Sequence, residues 1–220
     1  MSKDAFWALI QEAKTACGQD LNAMEDYLRE QLVSMGPAAA KNFHDILQTY
    51  EDLADQYGLW DAVSVIKEYG CSDDGFIDFR AWLIAQGKEV YMNALRDPDT
   101  LADIEPYGDC CFECLSYVGD YAYEQLTGRS AYDEMEPDRI EKMRDELKKD
   151  IVYKDGIQYP REPKDLPRFL PRLCEKYGGP ERFLAAPSPW NYDLHEIRRL
   201  LDEGKAHDRA AKKEKGGGAR

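Results

Sequence analysis

Histidine is scarce in this sequence, basic residues are outnumbered, and no long apolar run occurs. Each shortage removes a class of function. Only His44, His195 and His207 occur in 220 residues, and no G-x-S-x-G, P-loop or G-x-G-x-x-G pattern accompanies them. A Ser-His-Asp or Cys-His nucleophile is therefore not signalled. Lys+Arg number 29 against 43 Asp+Glu, a formal net charge of -14. A body with that balance lacks the basic face that displaces counterions from nucleic acid or draws a protein to an anionic membrane. No run of about 18 apolar residues could span a bilayer. No apolar segment follows Lys3, as a secretory signal would require. The expectation is a cytoplasmic protein without metal or cofactor. Its six cysteines, Cys17, Cys71, Cys110, Cys111, Cys114 and Cys174, should be reduced.

What is present is helical. Hydrophobic residues make up 43% and aromatics 11%, enough for a real core. Phe6, Leu9, Ile10, Ala13 and Cys17 form one helical stripe that Gly18 should end. Asp20 can cap a second helix with Leu21, Met24, Leu28, Leu32 and Met35 on one side. Gly36-Pro37 starts a third, carrying Phe43, Ile46, Leu47, Tyr50, Leu53, Ala54 and Tyr57, with Gly58 at its end. The stretch 59–69 is apolar nearly all round and should be the most buried helix. Helical phase runs on from Phe79 through Gly87 to Ala94, as one long helix or two kinked halves. A further helix is expected over about 109–126, with Cys111, Cys114, Leu115, Val118, Tyr121 and Ala122 facing inward.

The predicted fold is mainly α, an orthogonal-type bundle with at most a short β-hairpin near 152–159, where Asp155-Gly156 signals a turn. The expected division is a helical domain over 4–128, a Pro-rich helical extension over 129–204 and a disordered basic tail over 205–220. Seven of the eleven prolines fall between Pro160 and Pro189, and Leu194, Ile197, Leu200 and Leu201 suit one last small helix. The tail carries six basic residues against two acidic ones, so the rest of the chain is more acidic than the total suggests.

The run Gly70-Cys71-Ser72-Asp73-Asp74-Gly75-Phe76 is followed by Asp78-Phe79-Arg80, Trp82-Leu83-Ile84 and Gln86-Gly87. With these go Phe6-Trp7, Leu59-Trp60, Asp97-Pro98-Asp99 and Ala122-Tyr123-Glu124. On these residues the chain resembles, over about 5–130, the bacterial family catalogued as domain of unknown function 4240. The resemblance implies a helical, intracellular bacterial domain and brings no activity, ligand or catalytic residue.

Three patterns invite a site. The first is Ser72 to Asp78, which looks like the middle of a calcium loop. With Gly75 at the loop's glycine, Gly70 and Ala81 fall where two principal carboxylate ligands belong, so a capped helical turn is the better reading. Asp74 or Asp78 would then be the cap, with Ile77 and Phe79 pointing inward. The second is Cys111-x-x-Cys114 beside Cys110. No second ligand pair matches it, and mid-helix these thiols would pack as small hydrophobes. The third is a strip in which Asp78, Trp82 and Glu89 fall within about 40° on a helical wheel, flanked by Gln86.

Asp73, Asp74 and Arg80 lie near that strip in sequence. A Trp among carboxylates suits a protein partner or a cationic or polar small ligand, through cation–π contact and hydrogen bonds. The competing reading is a solvated helix flank on which Arg80 pairs with Asp73 or Asp74. The function expected is a non-catalytic interaction or regulatory module. The alternative is an enzyme with Asp78 and Glu89 as acid and base.

Overall fold

A computed structural model describes residues 1–67, 70–178 and 198–205. The fold is mainly α, and no strand occurs among the described residues. The first helix, α1 (Lys3–Cys17), is capped by Ser2, whose hydroxyl accepts the Ala5 N–H. It ends at Gly18, where φ is +63°. Helix α2 (Leu21–Met35) is capped by Asp20, as its sequence requires, and buries Met24, Leu28 and Leu32. Pro37 opens α3 (Pro37–Leu53).

The break after α3 comes earlier than the apolar stripe implies. Tyr57 begins α4 (Tyr57–Ile66), and Gly58 lies inside its first turn. Gly58 is small for a packing reason: a Cβ there would stand 2.8 Å from Ile157 and 3.0 Å from Phe169. Its N–H donates to the Ile157 carbonyl at 2.7 Å.

Ser72 caps α5 (Asp73–Ala85) by accepting the Gly75 N–H, so neither Asp74 nor Asp78 is the cap. Phe79 is buried, but Ile77 is 44% exposed rather than inward. Gly87, at φ +93°, separates α5 from α6 (Lys88–Arg96). Of the one-helix and two-half alternatives, the second holds.

Asp97 then caps a 3₁₀ turn over Pro98–Asp103. Helix α7 (Glu113–Thr127) begins later than expected, because Asp109 and Cys110 take positive φ and interrupt the helix there. Leu115, Val118 and Ala122 face the core, whereas Cys114 and Tyr121 are exposed.

One cluster of aromatic rings, Phe6, Trp7, Phe43, Tyr50 and Tyr91, joins α1, α3 and α6. It is tied by the Trp7 indole N–H, which donates to Tyr50 Oη at 3.0 Å, and by Tyr91 Oη–H, which donates to the Tyr50 carbonyl at 2.7 Å. Buried rings in such tilted contacts add to the gain from area burial alone. Helix α7 packs against α2, α3 and α5, which brings the first turns of α5 and α7 together.

The later residues join the same core. Helix α8 (Pro137–Lys148) packs on α3, with Arg139 bonded to Asp45 and Asn42. The segment 152–159 forms turns, not a hairpin, with Ile157 buried under α4. Short helices α9 (Leu166–Phe169) and α10 (Pro171–Lys176) follow. Asp99 accepts the Arg172 and Leu173 N–H groups at 3.1 and 3.0 Å, holding α10 to the 3₁₀ turn. Residues 198–205 are helical and include Leu200 and Leu201. The expected contributions of Leu194 and Ile197, and the tail beyond 205, lie outside the described residues.

Candidate functional site

The strip of Asp78, Trp82 and Glu89, flanked by Gln86, and the nearby Asp73, Asp74 and Arg80 do not stay together. Trp82 is 1% exposed. Its ring stacks on Phe79 at 5.9 Å and tilts against Tyr107 at 5.5 Å, so it is core and offers no face to a ligand. Gln86 is also buried, and its amide donates to Tyr107 Oη and to the Trp82 carbonyl. The wheel assumed one helix through Glu89. Gly87 breaks it, and Glu89 is exposed on α6, lining a separate surface cleft with Asn93, Arg96 and Asp103. Arg80 reaches Asp55 at 3.6 Å and the Glu51 carbonyl at 3.3 Å, with its guanidinium over Phe76, rather than Asp73 or Asp74.

Asp73, Asp74 and Asp78 remain at the surface, in the first turns of α5. There they meet residues the sequence pattern assigned to the core or left unmarked. The Phe112 N–H donates to the Asp78 carbonyl at 3.1 Å, pinning the start of α7 against α5. This places Glu113 beside Asp78. Partial burial, then the charges of Glu113 and Asp74, push the Asp78 carboxyl above its ordinary range, against the pull of Lys67.

One turn further along α7 stand Tyr117 and Tyr121, i and i+4, with rings stacked at 5.9 Å and 29°. Tyr121 is 44% exposed. Burial, then Glu113, Tyr121 and Asp78, raise the Tyr117 phenol, so these carboxylates lie near enough for their charge to reach it. Tyr132 closes the far end of this face, its hydroxyl donating to the Ser116 carbonyl and accepting from Gln48 Nε2, each at 3.4 Å.

Beneath this face lies Glu51 of α3, 6% exposed. Burial raises its carboxyl to about 7, although the Ser116 hydroxyl donates to it at 2.5 Å and Arg80 is near. Sequence reasoning missed it, because Glu51 borders an apolar stripe like any flanking glutamate. Asp61 on α4 was missed for the same reason. It is buried against Arg161, 3.3 Å away, and burial carries it to about 7 against that arginine's pull.

At the other end of the face is a thiol cluster. The Lys67 ammonium donates to Cys111 Sγ at 2.9 Å, and Cys71 and Cys110 lie near enough for their charges to act on it. The C-x-x-C therefore spans the start of α7 rather than its middle, with Cys111 just before the helix and Cys114 in its first turn. All six cysteines are free. No group of three or more His, Cys, Asp or Glu suited to a metal ion occurs among the described residues.

The family model described as Protein of unknown function (DUF4240) matches residues 1–125. The chain belongs to this family. The DUF4240 match spans α1 to nearly all of α7, so the acidic tyrosine face and the thiol cluster lie within it. No curated protein and no solved structure matches the chain. No helix among the described residues is long and apolar enough to cross a membrane.

Proposed function

We propose that this chain is a non-catalytic binding module that receives a basic segment of a protein partner. The seat is the surface formed by the first turns of α5 and the outer face of α7. The observation that carries this reading is the stacked Tyr117–Tyr121 pair, with Glu113 and Asp78 close enough to raise the Tyr117 phenol. Stacked phenol faces framed by carboxylates attract guanidinium and ammonium groups through ring quadrupole and Coulomb terms together. The aromatic component that the sequence pattern sought in Trp82 comes instead from α7. Burial is the main cause that raises Asp78, and the charges of Glu113 and Asp74 add to it; a cation seated there offsets that second part, a gain that a neutral or acidic partner does not bring.

The test is a fluorescence-anisotropy titration of the full chain with labelled oligo-arginine, oligo-lysine and oligo-glutamate peptides. Saturable binding of the basic peptides alone is expected, weakened about tenfold or more by Tyr117→Ala with Tyr121→Ala, since each 1.4 kcal/mol is a factor of ten. Equal binding by the double variant sinks the reading. Both tyrosines are at or near the surface, so a thermal melt within a few degrees of the parent serves as the folding control.

Acid–base chemistry is the second reading, and it now rests on Glu51 with Asp78 rather than on Asp78 with Glu89. A carboxyl near 7 suits proton transfer at neutral pH. The two readings part at Glu51→Gln: docking of the basic peptides should survive it, because Glu51 lies under the face and not on it.

A further inference from the structure

We propose that Cys111 is a modification site for hydroperoxides, with Lys67 as the residue that activates it. Four cysteines gather around the starts of α5 and α7, and their surroundings differ. Burial pushes Cys71 up to about 11 and Cys110 up to about 12. Cys114 is the most exposed, but partial burial and the neighbouring Glu25 carboxylate also raise it. Cys111 alone has an ammonium group in contact with its sulfur, at 2.9 Å. It also stands just ahead of α7, at the positive end of the helix dipole.

Lys67 also lies close to Cys71. A Cβ at Gly75 would lie 3.4 Å from Cys71 Sγ and 3.7 Å from Lys67 Nζ, so the ammonium, the Cys71 thiol and Gly75 share one pocket. Burial pulls Lys67 down, but its bond to Cys111 and the nearby thiols carry it above its ordinary value, so the cation persists at neutral pH.

The chemistry follows from this pair. Cys111 loses its proton to solvent, and its sulfur attacks the outer oxygen of the hydroperoxide. The S–O bond forms as the O–O bond breaks. Sulfur is oxidised by two electrons to a sulfenic acid, and the hydroperoxide is reduced to an alcohol, or to water from hydrogen peroxide. The proton that left Cys111 ends on the departing oxygen. An ammonium has three donors. One holds the thiolate, and another can meet that departing oxygen, which favours a peroxide over a carbon electrophile whose leaving group is not an oxyanion.

This inference stands apart from the docking reading and is tested separately. The reduced full chain is exposed to hydrogen peroxide in the presence of dimedone, and adducts at each cysteine are followed by peptide mass spectrometry. If exposure alone governed reactivity, Cys114 would be labelled first. The proposal expects Cys111 first, about fivefold or more ahead of Cys114, as thiolate character controls oxidation.

Lys67→Met should lower labelling at Cys111 about fivefold and leave Cys114 unchanged, while Lys67→Arg should retain most of the rate, because it keeps the charge. Labelling led by Cys114, or a Cys111 rate indifferent to Lys67→Met, overturns the proposal. Should Lys67→Met fail to fold, the ranking of Cys111 over Cys114 in the parent chain decides the matter alone.

Discussion

Among single residues, the most consequential is one the sequence does not single out. Glu51 is buried in α3, and its carboxyl is pushed to about 7 from an ordinary value of 4.5. The folded state thus holds a proton there that the unfolded chain has released. Its contribution to stability is fully present below about pH 4.5 and is lost as pH rises through about 7. Asp61 acts in the same direction, whereas His44, lowered by burial, acts oppositely and costs stability as pH falls. A comparison of parent and Glu51→Gln isolates one group from the others. Urea unfolding at pH 4.5 and pH 8 should show the variant gaining on the parent by on the order of 2–3 kcal/mol at the higher pH. Parallel profiles would mean that Glu51 is not held protonated by its surroundings. Trp82 is the complementary lesson. Its place on a wheel suggested a face among acids, but every residue from Ala81 to Gly87 is buried. Periodicity fails as a guide where a helix is covered on all sides.

At the scale of elements, the sequence was most legible where caps and stripes agree. The Gly18 and Gly36 stops can be read directly, and Asp20 and Pro37 start α2 and α3 where expected. It was least legible at junctions set by tertiary contact. The end of α3 and the position of Gly58 depend on Ile157 and Phe169, a hundred residues away in sequence. The late start of α7 depends on a backbone turn in which Asp109 and Cys110 follow Gly108 into positive φ, a conformation their own residue types do not signal. That shift took Cys111 out of the helix and brought it to Lys67. Helices α3 and α7 also cross in close contact. Gly119 meets His44 there so tightly that a Cβ would stand 2.8 Å from the His44 backbone nitrogen. His44 cannot give way easily, since its ring lies edge-on against Tyr132 at 4.3 Å. Gly119→Ala should lower stability by about 1–3 kcal/mol, the range for overpacking, although alanine is the better helix former. An unchanged thermal midpoint would show that the two helices can part without cost.

For the whole molecule, the described part of the Pro-rich stretch, up to residue 178, does not stand off from the helices before it. Residues between Ala131 and Cys174 complete one core with those of α1 to α7. Sequence composition suggested a separate extension because prolines break its helices, but the buried Leu166, Leu170 and Leu173 are too sparse to read as a stripe. Asp99, 4% exposed, is the clearest single tie. Asp99→Ala should cost about 1–2 kcal/mol, as loss of a helix-capping carboxylate does. Hydrogen exchange should quicken at Leu173 and Cys174 before it does in α3. Uniform quickening would instead mean that α10 and the bundle open only together.

The claim at the centre of this account is that the acidic tyrosine face takes a basic segment. Chemical-shift mapping of the isotope-labelled full chain against an oligo-arginine peptide tests it most directly. The chain before its basic tail is acidic throughout, so weak Coulomb contact alone would spread small shifts widely and vanish with added salt. The account predicts shifts concentrated at Asp74, Asp78, Glu113, Tyr117 and Tyr121, persisting at about 0.15 M salt, where charges beyond roughly 8 Å are screened. Shifts scattered over α1 and α2, or centred on the cleft beside Glu89, would contradict it.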